Sequence, residues 1–405
     1  ANNFIRKNYS GLDKGDNYLY IYSHQITTVF IFQIILSLFG RATFILYIMQ
    51  SFSISFIIFM LYKIANILFE DEDTNYIVVI LGALCFPLIF YVAFVYGLLP
   101  GMFLTLVAYY YFIKYTKEKH WYQLVISSLS INLAILLIGN NSIHLLAIFA
   151  VAVIYFIRNK DWKIIAFILS CVFLMSASKS VITNYYEVKS QKEIAEGVPK
   201  ITWIAMGMQE GEREAGWWNR FNYDIMPEEE YDTKRIIEIS KTSMKQRLNV
   251  FRDNPKYALD FYQRKYENQF IEPTFQSLLV TAPQRNFSNE TTLEKIRDFF
   301  VKQIYFNHTH TVLEFIMKVF QVFVYLFTFV FTVVMYKRKN EFFAIIPIAF
   351  IGGTLFNMIW EAKSRYIFPY FVFLIPLAAY GLVIVRNKIK EYKKLKEEKD
   401  EKSTI

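Results

Sequence analysis

The sequence is poor in residues on which many soluble folds depend. It contains two cysteines, Cys85 and Cys171, and both lie inside apolar runs, which excludes a disulfide framework and a thiolate metal site. Its 14 glycines are about half of the average share, so small-residue seams are not expected to dominate the packing of its helices. Only 20% of the 405 residues are charged and 55% are hydrophobic, a balance that excludes a soluble globular enzyme.

The apolar residues fall into runs that could cross a bilayer. Spanning the hydrocarbon layer takes about 20 apolar residues, with roughly 17 to 25 observed. Nine runs meet or approach this length, and they predict spans at 43–67, 76–95, 98–114, 121–138, 142–157, 163–181, 313–336, 342–360 and 366–385. A tenth run, residues 25–39, would extend only about 22 Å as a helix. We expect this tenth run to lie on the outer membrane surface.

The basic residues predict which ends of the spans face the cytoplasm. Lysine and arginine collect in cytoplasmic loops of membrane proteins, which accounts for the net charge of +9 without a nucleic-acid partner. The predicted cytoplasmic segments are 114–119, 158–163, 337–339 and the tail from Arg386, which contains seven lysines. Alternation of the spans then leaves the other large polar segments outside.

Composition divides the chain into five regions. They are an external loop with a juxtamembrane helix (1–42), a six-span membrane region (43–181), an extracytoplasmic domain (182–312), a three-span membrane region (313–386) and a cytoplasmic basic tail (387–405). The predicted domain is polar and carries helix-start signals at Asn254–Pro255 and at Thr291 with Glu294. The sequence therefore predicts an all-α polytopic membrane protein with a small, mostly helical extracytoplasmic domain.

Polar residues gather at the predicted external ends of the spans. Charge beside hydrocarbon is costly, and such residues are usually paired or functional. Four separate stretches supply them: Asp13, Asp16, His24 and Gln25; Asn140 and Asn141; Trp217, Asn219 and Lys265; and Glu361, Lys363, Arg365 and Tyr366. We expect the four stretches to converge beneath the external domain into one charged hollow.

The turn between the last two predicted spans is the most informative of the four. Glu361, Lys363 and Arg365 would place two cations and one carboxylate at headgroup depth, where a lipid phosphate or pyrophosphate lies. Such a turn could hold a lipid-linked leaving group. The alternative is an anchor that sets the depth of the two helices in the membrane.

Two other patterns point less clearly to a site. His308 and His310 flank Thr309, and such a pair could bind a divalent metal, but the sequence offers no third ligand, so histidines at the membrane interface are the simpler interpretation. The cofactor requirement is therefore left open. Asn-x-Ser/Thr triplets, expected by chance in a chain rich in asparagine, begin at Asn8, Asn140, Asn286, Asn289 and Asn307.

The external stretches contain motifs in a recognisable order. They are His24-Gln25 before an apolar helix ending at Gly40, Met206-Gly207-Met208 followed by Gly216-Trp217-Trp218-Asn219, Lys265 with Glu272-Pro273-Thr274, and Glu361-x-Lys363-x-Arg365-Tyr366. In this order the chain resembles bacterial membrane glycosyltransferases of the GT-C superfold. More narrowly, it is similar to the branch related to protein O-mannosyltransferases and lipid A aminoarabinose transferase. The similarity covers nearly the whole chain, although each motif is individually loose.

The resemblance implies a substrate and a reaction. The donor would be a polyprenyl-phosphate sugar bound at the outer leaflet of the cell membrane, and the acceptor an extracytoplasmic wall polymer, glycolipid or protein. Arg365, Lys363 and Lys265 would stabilise the departing phosphate, with Glu361 orienting the cations. The other binding residues would be His24 and Gln25 at the sugar or acceptor, Asn140 and Asn141 at the cavity roof, and Trp217, Asn219 and Tyr366.

The catalytic base is where the chain departs from the family pattern. The family places an acidic residue in the first external loop, close after a first span that is absent here. Asp13 and Asp16 are the carboxylates that remain in that loop, and they are the candidate catalytic residues. The base of the family would otherwise lie upstream of Ala1.

Three other functions fit the same composition. A lipid-linked glycan flippase or transporter would show repeats, broken helices and ionisable groups near the bilayer centre, and the predicted spans carry almost no such groups. A non-catalytic protein could instead recognise a wall component with its outer domain. A polysaccharide polymerase or ligase is separated poorly from a single-sugar transferase by sequence.

Overall fold

The computed structural model describes residues 1–283, 291–335 and 341–403, and within these ranges every regular element is a helix. The first half of the chain contains α1 (Asn2–Ile5), α2 (Tyr18–Ile21), α3 (Ile26–Phe39), α4 (Thr43–Phe69), α5 (Glu72–Leu84), α6 (Phe86–Phe90), α7 (Leu98–Glu118), α8 (Trp121–Leu137), α9 (Ser142–Asn159) and α10 (Lys163–Ser190). The all-α fold class predicted from the sequence is confirmed.

An inserted segment, residues 191–307, separates the two groups of long apolar helices. It contains α11 (Lys200–Gly207), α12 (Phe221–Glu228), α13 (Thr233–Asp253), α14 (Pro255–Glu267), α15 (Ser277–Thr281) and α16 (Thr292–Phe306). The remaining helices are α17 (His308–Met335), α18 (Ile345–Ile359), α19 (Ser364–Phe373) and α20 (Ile375–Ser403). Short 3-10 turns occupy Ser10–Leu12, Ser23–Gln25, Tyr91–Ala93, Gly139–Asn141 and Glu341–Ala344.

Both helix-start signals in the inserted segment form the predicted caps. The Asn254 side chain accepts a hydrogen bond from the backbone N–H of Tyr257, and Pro255 occupies the first turn of α14. Thr291 and Glu294 make a reciprocal capping box at the start of α16. These caps are local interactions, which is why a few residues of sequence suffice to predict them.

In the described residues each of the nine predicted spans coincides with one or two helices, but fewer than nine of the helices are long and apolar enough to cross a membrane by themselves. In the described residues, five helices are long and apolar enough to cross a membrane, or up to seven if each of two bent pairs counts as one span. The other two predicted spans are α7 and α8, which pack side by side. Helix α7 is interior, with 12 of its 21 residues buried, and α8 has only 17 residues.

The two bent helices are broken next to prolines. Helices α5 and α6 meet at an angle of 51°, and Pro87 lies in the first turn of α6. Helices α19 and α20 meet at 53°, with Pro376 following the break at Leu374. Proline cannot donate the helical hydrogen bond and its ring clashes with the preceding turn, so a helix kinks or ends there.

The bundle has two chemically different ends. At one end, which we name the tail end, ion pairs join the helix termini: Lys117 to Glu70, Lys119 to Asp161, Arg158 to Glu341 and Arg386 to Asp73. Three of the predicted cytoplasmic segments meet there, while the fourth, 337–339, lies outside the described residues. The inserted segment and residues 1–41 cover the opposite end, which we name the domain end.

The helix boundaries differ from prediction where polar residues stay helical. Helix α10 continues to Ser190, nine residues past the predicted span, and α17 begins at His308 rather than 313. Helix α20 runs without interruption into the basic tail as far as Ser403. A helix can continue after it leaves the apolar layer. Hydropathy alone therefore predicts helices that are shorter than the observed ones. The predicted surface helix is α3, with 14 residues.

Candidate functional site

The turn between α18 and α19 holds a buried ion pair. Glu361 and Lys363 are 3% and 9% exposed, and the Lys363 ammonium pairs with the Glu361 carboxylate. The Tyr366 hydroxyl donates to the second carboxylate oxygen of Glu361 at 3.0 Å. Burial lowers the pKa of Lys363, and the neighbouring Glu361 opposes this shift. Together these contacts hold a lysine charge at a defined position away from bulk water.

Arg365, the second residue of α19, has different neighbours. Its guanidinium carbon is 5.6 Å from the centre of the Phe94 ring and 5.3 Å from that of the Tyr366 ring. Among the described residues, no carboxylate lies within 4.0 Å of its nitrogens. Aromatic faces offset only part of a cationic charge. Arg365 is therefore a partly buried cation whose charge is not neutralised by a carboxylate.

The inserted segment packs directly on this turn. The Ala362 N–H donates to the Gly216 carbonyl at 3.0 Å. The Lys363 nitrogen lies 5.6 Å from the Trp217 ring centre and 5.8 Å from that of Trp218. A second contact stacks Trp203 on Trp360, with ring centres 5.7 Å apart. The aromatic residues of the inserted segment thus surround the Lys363 side of the site.

Lys265 is fully buried beneath the same contact. Its ammonium donates to the Gly207 carbonyl, and its side chain runs under Gly216, whose backbone adopts a left-handed φ of +67°. Burial lowers the pKa of Lys265 from 10.5 to about 7, with Glu361 opposing the shift. Lys265 thus ties the 207–216 segment together from below rather than lining an open surface.

The lowered pKa of Lys265 predicts a pH dependence of stability. The unfolded chain binds a proton at this residue up to about pH 10.5, whereas the folded chain releases it above about pH 7. The free energy of unfolding should therefore rise by about 2 kcal/mol between pH 7 and pH 9. Thermal unfolding in detergent at both pH values measures this rise.

Lys265→Met is the matched variant because it keeps the length of the side chain and removes the titration. The rise with pH should be smaller in Lys265→Met than in the wild type by the same amount. Equal pH dependence of the two proteins would show that Lys265 does not titrate in this range.

Glu272 fixes the segment that follows α14. Its carboxylate accepts the Thr274 N–H at 3.0 Å, the Gln276 N–H at 2.5 Å and the Ser364 hydroxyl at 2.7 Å. Within this segment, Phe275 and Gln276 have left-handed φ angles of 50° and 60°, which are costly for residues other than glycine. One carboxylate thus joins the inserted segment to the first turn of α19 and holds a strained backbone.

The segment 272–281 inserts between the two short halves of the bent helices. Phe275 packs against Phe368 and Phe371 of α19, with ring centres 5.4 and 4.7 Å away. On the other side, the Tyr91 hydroxyl donates to the Phe275 carbonyl, and α15 packs against α6. The segment 272–281 therefore fixes the position of the start of α19, which carries Arg365, relative to the 3-10 turn that precedes Phe94.

Replacing Glu272 with glutamine should loosen this segment. The amide group would present a donor to backbone N–H groups that need an acceptor, and hydrogen bonds to a charged group contribute about 1.5–3 kcal/mol each. We expect faster hydrogen exchange of residues 272–281 and a lower unfolding temperature. Glu238→Gln, at an exposed position of α13, should change neither. Unchanged hydrogen exchange in Glu272→Gln would show that Glu272 does not hold this segment in place.

The 3-10 turn Ser23–Gln25 reaches the same end of the bundle. His24 contacts Trp203, with ring centres 5.9 Å apart, and Trp203 in turn stacks on Trp360. Gln25 donates to the Tyr96 hydroxyl at 2.6 Å. The predicted stretch His24–Gln25 therefore lies at the domain end, where it contacts Trp203 and Tyr96.

Other predicted site residues have contacts elsewhere. Asp13 is exposed and pairs with Lys192, and Asp16 is exposed and accepts from Tyr223. Within the described residues, no hydrogen bond or ion pair joins either aspartate to Glu361, Lys363 or Arg365. The catalytic assignment made from the resemblance therefore gains no geometric support, because neighbours from the inserted segment occupy both carboxylates.

The remaining predicted binding residues have local contacts or are exposed. The Asn141 amide donates to the Ala134 carbonyl at 2.8 Å, which caps α8, and Asn140 is exposed. Asn219 donates to Gln209 at 2.7 Å within the inserted segment. His310 pairs with Glu314 at 3.3 Å, and no group of three His, Cys, Asp or Glu side chains suited to a metal occurs in the described ranges. Asn286 and Asn289 lie outside them.

Sequence reasoning missed several residues that shape the site. Phe94, Tyr96 and Ser364 contact Arg365, Gln25 and Glu272, respectively. The available signal was weak: two aromatic residues just before Gly97, and a serine between the two predicted cations. Glu272 belongs to one of the sequence motifs, but its hydrogen bonds with Thr274, Gln276 and Ser364 depend on the folded backbone.

Comparison with known proteins identifies the family. The chain matches no curated protein and no solved structure. Residues 16–383 match the model of a family described as conserved hypothetical integral membrane protein. This match covers both groups of long apolar helices and the inserted segment between them. The chain therefore belongs to this family of integral membrane proteins.

Proposed function

We propose that this integral membrane protein is a glycosyltransferase that moves a sugar from a polyprenyl-phosphate donor to an extracytoplasmic acceptor. The observation that carries the proposal is Arg365, a partly buried cation without a carboxylate partner among the described residues. It lies beside the buried Glu361–Lys363 pair, at the end of the bundle that the inserted segment covers. A phosphate with a hydrocarbon tail matches a cation placed where apolar helices end.

The chemistry assigns separate roles to these groups. The acceptor hydroxyl attacks the anomeric carbon, the bond from this carbon to the phosphate oxygen breaks, and a carboxylate takes the hydroxyl proton. Negative charge grows on the leaving phosphate, and Arg365 and Lys363 stabilise it. Glu361 holds Lys363 in place and, through Tyr366, fixes the start of α19.

Asp16 is the better of the two candidates for the proton acceptor. It accepts from the Tyr223 hydroxyl, and Tyr223 belongs to the same apolar cluster as Tyr22. Burial raises the pKa of Tyr22 to about 12, with Tyr18, Tyr223 and Glu361 contributing. Tyr22, Tyr223 and Trp203 belong to one apolar cluster, and Trp203 stacks on Trp360 next to the Glu361 turn. Asp13 pairs instead with Lys192.

A transfer assay tests the proposal. The purified protein is placed in proteoliposomes with a radiolabelled polyprenyl-phosphate sugar and an extracted wall-polymer or glycolipid acceptor. Label should move to the acceptor, with release of one polyprenyl phosphate for each sugar transferred. Intact donor after incubation with a panel of donor sugars and acceptors would contradict the proposal.

A lipid-linked glycan flippase is the second candidate function. The two bent helices favour it, because transporters use broken helices to build sites within the membrane. The same proteoliposomes separate the two functions. A flippase exposes intact donor on the opposite leaflet, whereas a transferase consumes the donor on one leaflet.

A further inference from the structure

Helix α16 turns its apolar side outward. Its inward side is mostly polar, and its buried or half-buried residues at helical spacing are Glu294, Asp298, Val301 and Tyr305. Asp298 is 3% exposed and pairs with Arg297 at 2.7 Å. The outward side carries five large apolar side chains that are each more than half exposed: Leu293, Ile296, Phe299, Phe300 and Phe306. In a soluble domain the apolar side of an amphipathic helix is turned inward, so this orientation indicates a surface that binds something apolar.

Basic residues border the apolar side of α16 on both edges. Lys295 and Lys302, seven residues apart, lie along one edge, and Arg297 lies along the other. All three side chains are exposed. An apolar side bordered by lysine and arginine is typical of helices that lie in the boundary between lipid headgroups and acyl chains. There the apolar side chains enter the acyl region, and the long basic side chains extend to the phosphates.

Helix α16 leads directly into a helix that can cross the membrane. Asn307 joins it to α17, the two helices contact each other, and α17 is one of the helices long and apolar enough to span. The first turns of α17 also carry exposed apolar side chains: Val312, Phe315, Ile316 and Val319. A lipid leaflet would cover the apolar sides of both helices together.

The contacts of Tyr305 place α16 near the level at which α4 enters the membrane. Tyr305 lines a surface depression together with Tyr47, the fifth residue of α4, at the domain end. Residues 47 to 69 of α4 extend over about 33 Å, close to the hydrocarbon thickness of about 30 Å. On the inward side, the Tyr305 hydroxyl is 3.0 Å from the Thr281 hydroxyl of α15. Helix α16 is therefore held at the height of a headgroup boundary.

We propose that α16 lies in the headgroup boundary of the leaflet at the domain end, with its apolar side in the acyl region and its bordering basic residues at the lipid phosphates. The occupant of the exposed surface is a phospholipid leaflet. Three observations favour it over a protein partner: the apolar outward side, its basic edges, and the direct connection to a spanning helix. The inserted segment is then attached to the membrane by a surface helix as well as by the spans that flank it.

Spin-label accessibility of the full-length protein in nanodiscs tests this placement. The label is attached at Phe300→Cys, and its collisions with oxygen, which partitions into acyl chains, are compared with its collisions with a water-soluble nickel chelate. We expect the oxygen accessibility to resemble that of Val319→Cys on the exposed side of α17. The nickel accessibility should be about fivefold or more below that of Glu238→Cys, an exposed position of α13. The unsubstituted protein, whose Cys85 and Cys171 are buried, gives the background.

Two outcomes would overturn the proposal. Nickel accessibility at position 300 equal to that at position 238 would show that the apolar side of α16 is in water. A label at position 300 that neither oxygen nor nickel reaches would show that protein covers it, either a second copy of this chain or another protein. Ile296→Cys and Phe299→Cys repeat the measurement on the same side of the helix and should agree with Phe300→Cys.

The unsubstituted protein provides a second measurement that does not depend on the cysteine variants. A small apolar diazirine dissolved in the lipid of proteoliposomes is photolysed, and its adducts are mapped by mass spectrometry. Adducts should form on residues 292–306 and on α17, while α13 should carry few. Adducts on α17 without any on residues 292–306 would contradict the placement. Both measurements are independent of sugar transfer, so their result does not depend on the function proposed above.

Discussion

Replacing Arg365 with alanine is expected to lower sugar transfer by about 100- to 1,000-fold, the usual cost of removing one preorganised group that stabilises a developing negative charge. Arg365 is the described cation of the turn without a carboxylate partner, so its charge is the part of the site that a phosphate would neutralise. Because its guanidinium packs on the Phe94 and Tyr366 rings and forms no ion pair within 4.0 Å among the described residues, the variant should fold. The initial rate of transfer in proteoliposomes measures the loss.

Two further variants of this experiment separate charge from general damage. Arg365→Lys keeps the charge but loses the planar fork, so it should recover part of the rate. Arg386→Ala removes an arginine at the tail end, where it pairs with Asp73, and should transfer sugar at the wild-type rate. Wild-type transfer by Arg365→Ala would contradict the phosphate-binding role.

Replacing Gly216 with alanine is expected to destabilise the protein by about 2–5 kcal/mol, the sum of a left-handed backbone penalty and of overpacking. A methyl group there would lie 2.6 Å from Cε of the buried Lys265 and 2.8 Å from the Gly207 carbonyl oxygen. Neither neighbour can move freely, since the Lys265 ammonium is bonded to that same carbonyl. Thermal unfolding in detergent measures the loss.

Gly139→Ala is the matched control for the glycine experiment. No atom lies within 4 Å of a methyl group built there, and its backbone is not left-handed. Its unfolding temperature should stay within the error of the wild type. In Gly216→Ala, reduced stability should be accompanied by faster hydrogen exchange of residues 207–218. Wild-type stability of Gly216→Ala would show that the packing at Lys265 is loose.

Helix type and position could be predicted where the cause is local or compositional. The caps at Asn254 and Thr291 follow from hydrogen bonds three residues away, and the long helices from their apolar content. The helix ends could not be predicted as well. Helix α10 stays helical to Ser190 because leaving an apolar layer does not break backbone hydrogen bonds. The two bends follow prolines, but a proline in the sequence does not give the direction of a bend.

Within the site, the turn 361–366 was predictable and its partners were not. Its three charges between apolar runs mark it in the sequence. By contrast, the sequence does not show that Asp13 and Asp16 have partners. In the structure they contact Lys192 and Tyr223, about 180 and 210 residues away. Asn141 is likewise predicted from the sequence to bind substrate, whereas in the structure its amide donates to a carbonyl in the last turn of α8.

The order of amino acids alone established an all-helical chain with long apolar helices, because helix formation and burial of apolar side chains depend on short-range periodicity and summed hydropathy. Tertiary structure alone decided that Glu361 neutralises Lys363 in a buried pair and that, among the described residues, Arg365 has no carboxylate partner. The reason is that the burial of this turn and its contacts with Gly216, Trp217 and Phe94 depend on segments far apart in the chain, which no local pattern encodes.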